Sequence, residues 1–288
     1  MQKIVNFLRV SAIAALCGVV AVFFTTCKKD AAVKVKKEIF SGYAQKGPFV
    51  VGSSVTIVEL DTNLDQTGKT YFTTISDNLG SFEQKNIELV SNYVELKADG
   101  SYFNETTGAV FAITTLYALV DISDVNSANV NVLTHLEKPR VEYLVKQGKS
   151  FAEAKQQAQK EVLAIFGFIP SNTSSEALAL TDDGMLLAIS SILAGIPYYG
   201  LMDMGELMAN IAADIKTDGK LDNTALGTKL ISCAYGICAN NTSLSLDRVR
   251  ENMKSRYAEF GLNVTIPDFE SYIQAFANSN LYPRMEVK

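Results

Sequence analysis

Ser54-Val55-Thr56-Ile57-Val58-Glu59-Leu60 alternates apolar and polar residues, and Tyr93-Val94-Glu95-Leu96-Lys97-Ala98 does the same from Val94 onward. A period of two puts every second side chain on one face, so each stretch reads as a strand with one face for a core. Asp77-Asn78-Leu79-Gly80 and Asp99-Gly100 lie between such runs. They supply residues that tolerate positive φ or close a turn with a side-chain oxygen, which predicts hairpins. From Ile39 to about Val110 the chain is rich in Val, Thr, Tyr and Phe and is broken by Gly and Asn/Asp at short spacing, as antiparallel strands should be.

Beyond about Thr114 the period changes. Ser150-Phe151-Ala152-Glu153 is a capping box, and Phe151, Ala154, Ala158, Val162, Ile165 and Phe166 recur at helical spacing until Gly167. Asp203 to Lys216 repeats the logic, with Glu206 three residues after the cap and Leu207, Ile211 and Ile215 on one stripe. Leu246 to Phe260 closes at Gly261, and Pro267 predicts the first turn of a last helix carrying Phe269, Ile273 and Phe276. The expected fold class is α+β in two domains: an antiparallel β-sandwich over residues 39–112, then an all-α bundle of five to seven helices over 113–288. Separate cores are expected because strand-period and helix-period patterns do not mix across the boundary.

Gly47-Pro48-Phe49-Val50-Val51-Gly52-Ser53-Ser54-Val55-Thr56-Ile57, Thr74-Ile75-Ser76-Asp77-Asn78-Leu79-Gly80-Ser81-Phe82 and Tyr93-Val94-Glu95-Leu96 follow one another in an order that resembles the carboxypeptidase regulatory-like domain, a small transthyretin-like β-sandwich. The chain departs from that pattern at Ser53-Ser54, where Gly-Ala is commoner, and in a longer loop from Asp61 to Lys69. The resemblance covers about 70 residues. It implies an accessory or binding module and brings no catalytic residues. With Asn129-Val130-Asn131-Val132-Leu133-Thr134-His135-Leu136 and the helical tail, the chain also resembles a group of secreted lipoproteins of Bacteroidetes-type bacteria, which implies no activity.

The N-terminus predicts export. Lys3 and Arg9 precede an uncharged run, Val10 to Thr26, that stops beside Cys27. At about 17 residues the run is short for a spanning helix, which needs roughly 20. Its order of parts is that of a signal peptide, residues 1–26. Phe24-Thr25-Thr26-Cys27 resembles a lipobox, with Phe24 where leucine is more usual, so Cys27 is the expected lipidation site and the membrane an expected partner. Residues 27–38 then form a basic tether with five lysines against Asp30 and Glu38. The expected place is the cell envelope, on the outer membrane, with an envelope protein or glycan as a further partner. Residues 39–288 carry a net charge of about −10, which would be repelled by nucleic acid phosphates.

Motifs for chemistry are sparse. His135 is the only histidine, and Gly-x-Ser-x-Gly, His-Glu-x-x-His and phosphate-loop patterns are all missing from the sequence. The expected function is therefore a non-catalytic binding, adhesion or assembly module. The alternative is a hydrolase, glycosidase-like, because paired carboxylates such as Asp182 and Asp183 leave no sequence signature. Tyr198-Tyr199 beside Pro197 offers stacking faces, although core packing is the commoner use of such a pair. No cofactor is expected except calcium as a weak candidate. Asp61, Asn63 and Asp65 place oxygens at alternate positions but Gly68 comes two places late, and the loop at Asp214, Asp218 and Gly219 has Lys216 at a ligand position. Cys233 and Cys238 are expected to pair in an oxidising compartment. Five residues apart they point about 140° from each other on a continuous helix, so the bond requires the helix to end at Gly236.

Overall fold

The computed structural model describes residues 33–239 and 244–285, with strands in the N-terminal half and helices in the C-terminal half. The strands are β1 (Val35–Gln45), β2 (Ser54–Leu60), β3 (Gln66–Thr74), β4 (Ser81–Leu89), β5 (Tyr93–Asn104), β6 (Ala109–Asp121) and the short β7 (Val130–Asn131). The helices are α1 (Val132–Lys146), α2 (Phe151–Ile165), α3 (Gly184–Tyr198), α4 (Met204–Ile215), α5 (Thr224–Cys238), α6 (Leu246–Ala258) and α7 (Glu270–Ala277). Cys27 and the expected signal peptide lie outside the described residues.

Two sheets form, ordered β4-β1-β7 and β3-β2-β5-β6. All pairings are antiparallel except β1 with β7, where Ala44 faces Val130 and Gln45 faces Asn131. Phe40, Phe82 and Ile87 from one sheet and Val55, Ile57, Val94 and Leu96 from the other enter the same core. Across the join, Tyr71 Oη donates to Glu88 O at 2.9 Å and Thr73 Oγ1 to Glu83 O at 2.8 Å.

Local signals produced much of this. Asp77 Oδ1 accepts from Leu79 N and Ser81 N, closing the predicted turn, and Gly80 sits at φ +88° where a Cβ would lie 2.4 Å from Ala44 O. Ser150 and Glu153 make the reciprocal capping bonds of α2, and Asp203 caps α4 through Gly205 N and Glu206 N. Asn131 ends β7 and starts α1, accepting from Leu133 N and Thr134 N. Caps of this kind each contribute about 1 kcal/mol. Helix α3 is buried nearly all round, as a helix in the middle of a core should be, and among the described residues no helix is long and apolar enough to cross a membrane.

Four expectations need correction. Asp99-Gly100 is not a turn: it lies inside β5, where the register with β6 shifts between Gly100 and Tyr102, and a Cβ on Gly100 would meet Ser53 Oγ at 2.2 Å. Pro267 precedes α7, which starts only at Glu270. The tether is shorter than expected, since β1 begins at Val35; Lys36 pairs with Glu88 and Lys37 Nζ donates to Ser123 O. Nor do strands and helices keep separate cores: even the smaller of the two apolar clusters joins Val58, Leu60 and Leu119 to Val141, Leu144, Ala154 and Ala158. The 112/113 boundary falls inside β6, residues from Val33 onward make one unit, and one apolar cluster runs from Val35 through Ile57, Leu133, Leu186 and Ile231 to Ala277.

The seam between strands and helices is polar as well as apolar. Gln45 Oε1 accepts from Leu180 N, Asn131 Nδ2 donates to Ser175 O, and Asn252 Nδ2 donates to Glu105 O. Arg256 donates to Asn78 O while its guanidinium lies 5.0 Å from the Phe103 ring. These links satisfy polar groups at the seam from both sides.

Candidate functional site

At the seam, the ends of β5 and β6 meet α3 and the start of α4 around a cavity of about 310 Å3. Tyr102 and Asn104 come from β5, Phe111 and Ile113 from β6, Pro197 and Tyr198 from α3, and Asp203, Met204 and Gly205 from the entry to α4. The β6 contribution follows from its place as an edge strand: no further strand covers it, and Phe111 and Ile113 are 41 % and 74 % exposed. Tyr198 is also half-exposed, whereas its neighbour Tyr199 turns into the core and packs against Gly236, where a Cβ would lie 2.6 Å from the Tyr199 hydroxyl. Of the two readings of this pair, stacking face and packing residue, Tyr198 thus takes the first position as a cavity wall and Tyr199 the second.

The floor is polar and almost closed to water. Tyr102 and Asn104 are buried, and the Tyr102 hydroxyl's hydrogen bond goes to the Met204 sulfur at 3.9 Å, a weak acceptor. Asn104 Oδ1 is occupied by Thr106 N, Thr106 Oγ1 and Thr107 N, which leaves its amide hydrogens for the Tyr102 hydroxyl and the cavity. Burial first, and the Glu105 charge second, push the Tyr102 phenol well above its ordinary pKa, so it stays a neutral donor.

Behind Tyr102 lies a group that sequence reasoning missed. Lys46 Nζ meets Glu105 Oε1 at 2.6 Å and Ser190 Oγ at 3.1 Å, and Ser190 Oγ lies 2.7 Å from the same carboxylate oxygen. Both charged side chains are fully buried, and Lys46 sits 5.6 Å from the Tyr102 ring centre. Burial pulls the Lys46 pKa down and only partly yields to Glu105. Ser190 and Lys46 are a nucleophile and base by type, but both are held by Glu105 with no exposed face. No local pattern marks them, since the contacts span 59 and 144 residues.

A second polar cavity, about 490 Å3, lies between α2 and the loop after it. There Lys155 Nζ reaches Glu137 Oε2 at 2.9 Å and Glu176 Oε2 at 2.8 Å, and Ser175 Oγ donates to Glu137 Oε1. Burial raises the Glu137 pKa, while the two carboxylates together lift Lys155 above its usual value despite its own burial. The two carboxylates clasp one ammonium, which is a bracing arrangement for α1, α2 and the loop.

The remaining sequence-predicted residues lie apart from both cavities' chemistry. Asp183 is the N-cap of α3, its Oδ1 accepting from Leu186 N, and Asp182 borders a shallow polar groove beside β1 and β4. Asp61 Oδ1 accepts from Asn63 N and Asp65 N, so this carboxylate closes the β2–β3 turn, while Leu64 between them is buried. Asp214 takes Asn223 N, and Asp218 takes Lys220 N. Among the described residues no group of three acidic, histidine or cysteine side chains is placed to hold a metal ion. His135, on α1, is mostly buried against Tyr117, and its Nδ1 has no hydrogen-bond partner. Burial, aided by Lys138, lowers its pKa to about 4.

The expected disulfide is corrected here too. Helix α5 continues through Gly236 to Cys238, and Cys233 and Cys238 are free thiols. On an unbroken helix they point to different sides: Cys233 Sγ is buried against Ile192 O at 3.3 Å, and Cys238 is half-buried. Burial raises both thiol pKa values, which makes them poor nucleophiles. Compared with protein families, curated proteins and solved structures, the chain matches none.

Proposed function

We propose that this chain is a lipid-anchored protein of the cell envelope, held on the outer membrane, and that it acts as a non-catalytic binding module through the cavity at Tyr102, Phe111 and Tyr198. The observation that carries the binding reading is the chemistry of that cavity. Its walls are exposed aromatic rings on rigid elements, its floor offers neutral hydrogen-bonding groups, and the titratable groups nearest to it are already engaged. The hydrolase reading has less support, because Asp183 caps a helix and Glu137 and Glu176 share Lys155.

The place of the cavity suits an anchored protein. The chain enters at Val35, beside Leu89, and Tyr93 and Asp121 pair at that same end of the strands. The cavity is built at the other end of β5 and β6, where Asn104 faces Ala109. Strand β5 has 12 residues, so the separation is roughly 35 Å at about 3.3 Å per residue. The start of the described chain and the cavity thus lie at opposite ends of the strands. The resemblance to carboxypeptidase regulatory-like modules belongs to this reading, with the β-sheets as scaffold.

Membrane fractionation tests the anchor: Cys27→Ser should release the protein or leave the signal attached, because acyl chains supply about 0.8 kcal/mol per buried methylene. A Cys27→Ser protein that is processed normally and still pellets with lipid overturns it. Turnover tests the binding role. Steady hydrolysis of aryl glycosides that disappears in Glu137→Gln or Glu176→Gln would replace the module by an enzyme.

A further inference from the structure

The geometry points to a neutral saccharide ring as the ligand of the Tyr102–Phe111–Tyr198 cavity, an inference that rests on the binding reading above. Three observations converge on it.

The first is shape and size. At about 310 Å3 the cavity is at the lower limit for small-molecule sites, which suits one ring and not an extended polymer segment. Phe111 stands in one wall, its ring centre 6.4 Å from that of Tyr102 in the floor at a 40° tilt, and Tyr198 from α3 stands in another. A pyranose has an apolar face of C–H groups that packs on such rings and an edge of hydroxyls that does not.

The second is the hydrogen-bonding inventory. A sugar hydroxyl both donates and accepts, and this floor needs both. The Tyr102 hydroxyl donates only to a weak sulfur acceptor at 3.9 Å while accepting from the Asn104 amide, which leaves one amide hydrogen that the turn closed by the Asn104 oxygen does not use. Asp203 supplies acceptor oxygens at the rim. An entirely apolar ligand would leave these groups without partners, which costs more than the apolar contact returns.

The third is charge balance. Asp203 is the one charged side chain on the cavity's lining, and its Oδ1 sits on the amino end of α4, accepting from Gly205 N and Glu206 N. The partial positive charge of that helix end offsets the carboxylate. Lys46 and Glu105 offset each other behind Tyr102. Neither a cation nor an anion finds a net counter-charge here, whereas a neutral polyol requires none.

Ligand-observed NMR on the full-length chain held on lipid vesicles tests this, with methyl glucoside, methyl galactoside and N-acetylglucosamine as neutral probes and choline and benzoate as charged ones. Saturable binding of at least one sugar in the roughly millimolar range or tighter is expected. Tyr198→Ala and Phe111→Ala should each weaken it roughly three- to tenfold, the size of one aromatic contact. Phe72→Ala, at a still more exposed aromatic on β3, should leave it unchanged. If choline or benzoate binds in a Tyr198-dependent way and no sugar does, the saccharide inference falls while the binding module stands. Should no probe show a Tyr198- or Phe111-dependent signal on folded protein, both fall.

Discussion

Lys46→Met is the substitution that most directly probes how the two halves are joined. Lys46 lies just after β1, Glu105 just after β5, and Ser190 within α3, so their cluster ties both sheets to the central helix. Methionine keeps the length and apolar stem of lysine and removes only the charge. Glu105 would then keep Ser190 as its one side-chain donor, at 2.7 Å, while its Oε2 already has no hydrogen-bond partner. Removing one partner of a buried ion pair costs about 3–5 kcal/mol, because the remaining charge stays out of water. For a chain of this size that corresponds to a fall of roughly 6–20 °C in melting temperature. Replacing both, Lys46→Met with Glu105→Leu, removes the two charges together and should return to within about 2 kcal/mol of the wild type. Urea unfolding followed by circular dichroism at several pH values gives all four corners of the cycle. A Lys46→Met loss below about 1 kcal/mol, or a double mutant as unstable as the two single losses added, would refute the idea that a closed ion pair holds this seam.

Three further outcomes follow from the same structure. His135 has a folded pKa of about 4 against about 6.5 unfolded, so the unfolded chain binds the extra proton and stability is full above pH 6.5 and falls toward pH 4, by about 3 kcal/mol in all; His135→Leu should flatten that slope between pH 5 and 6.5, and parallel unfolding curves for the two proteins would count against it. Alkylation of denatured, unreduced mature protein should find Cys233 and Cys238 both free, and native protein should react first at Cys238; a mass consistent with a 233–238 bond would mean that α5 ends at Gly236 after all. A fragment of residues 39–112 should not unfold cooperatively, since it lacks the second half of β6 and the helices that share its core, and a sharp transition in that fragment would restore the two-domain reading.

What the sequence made legible was whatever is decided within a few residues. The Ser150–Glu153 box, the Asp203 cap and the Asp77–Gly80 turn are short-range arrangements, and each was readable because the residue that satisfies the backbone lies two to four positions away. The alternation in β2 and β5 was readable for the same reason. Asp99-Gly100 misled because a glycine that permits a turn also permits a bulge, and here Ser53, just before β2, packs directly against it. Gly236 misled in the same way: it looked like a helix end, yet it is a gap in the side of α5 into which Tyr199 fits. The cavity itself had one legible residue, Tyr198. Tyr102 and Asn104 read as ordinary strand residues, and only the meeting of β5, β6, α3 and α4 gives them a shared role.

That meeting explains why strand and helix halves with different periods make one core. A sheet edge such as β6 is costly to leave bare, and two independent domains would have left its apolar residues without cover. Here α1 covers the second half of the edge, with Thr134 Oγ1 donating to Tyr117 O. The first half is left to the cavity, where Phe111 and Ile113 face α3 and α4 without being sealed by them. Leu116, Ala118 and Val120 are buried while Val110, Phe111 and Ile113 are exposed, so the same strand changes from core to surface midway. Packing alone gives no reason to keep large apolar side chains on the exposed half. The proposed ligand would cover them, and the closed Lys46–Glu105–Ser190 cluster directly behind would hold the cavity floor in place for it.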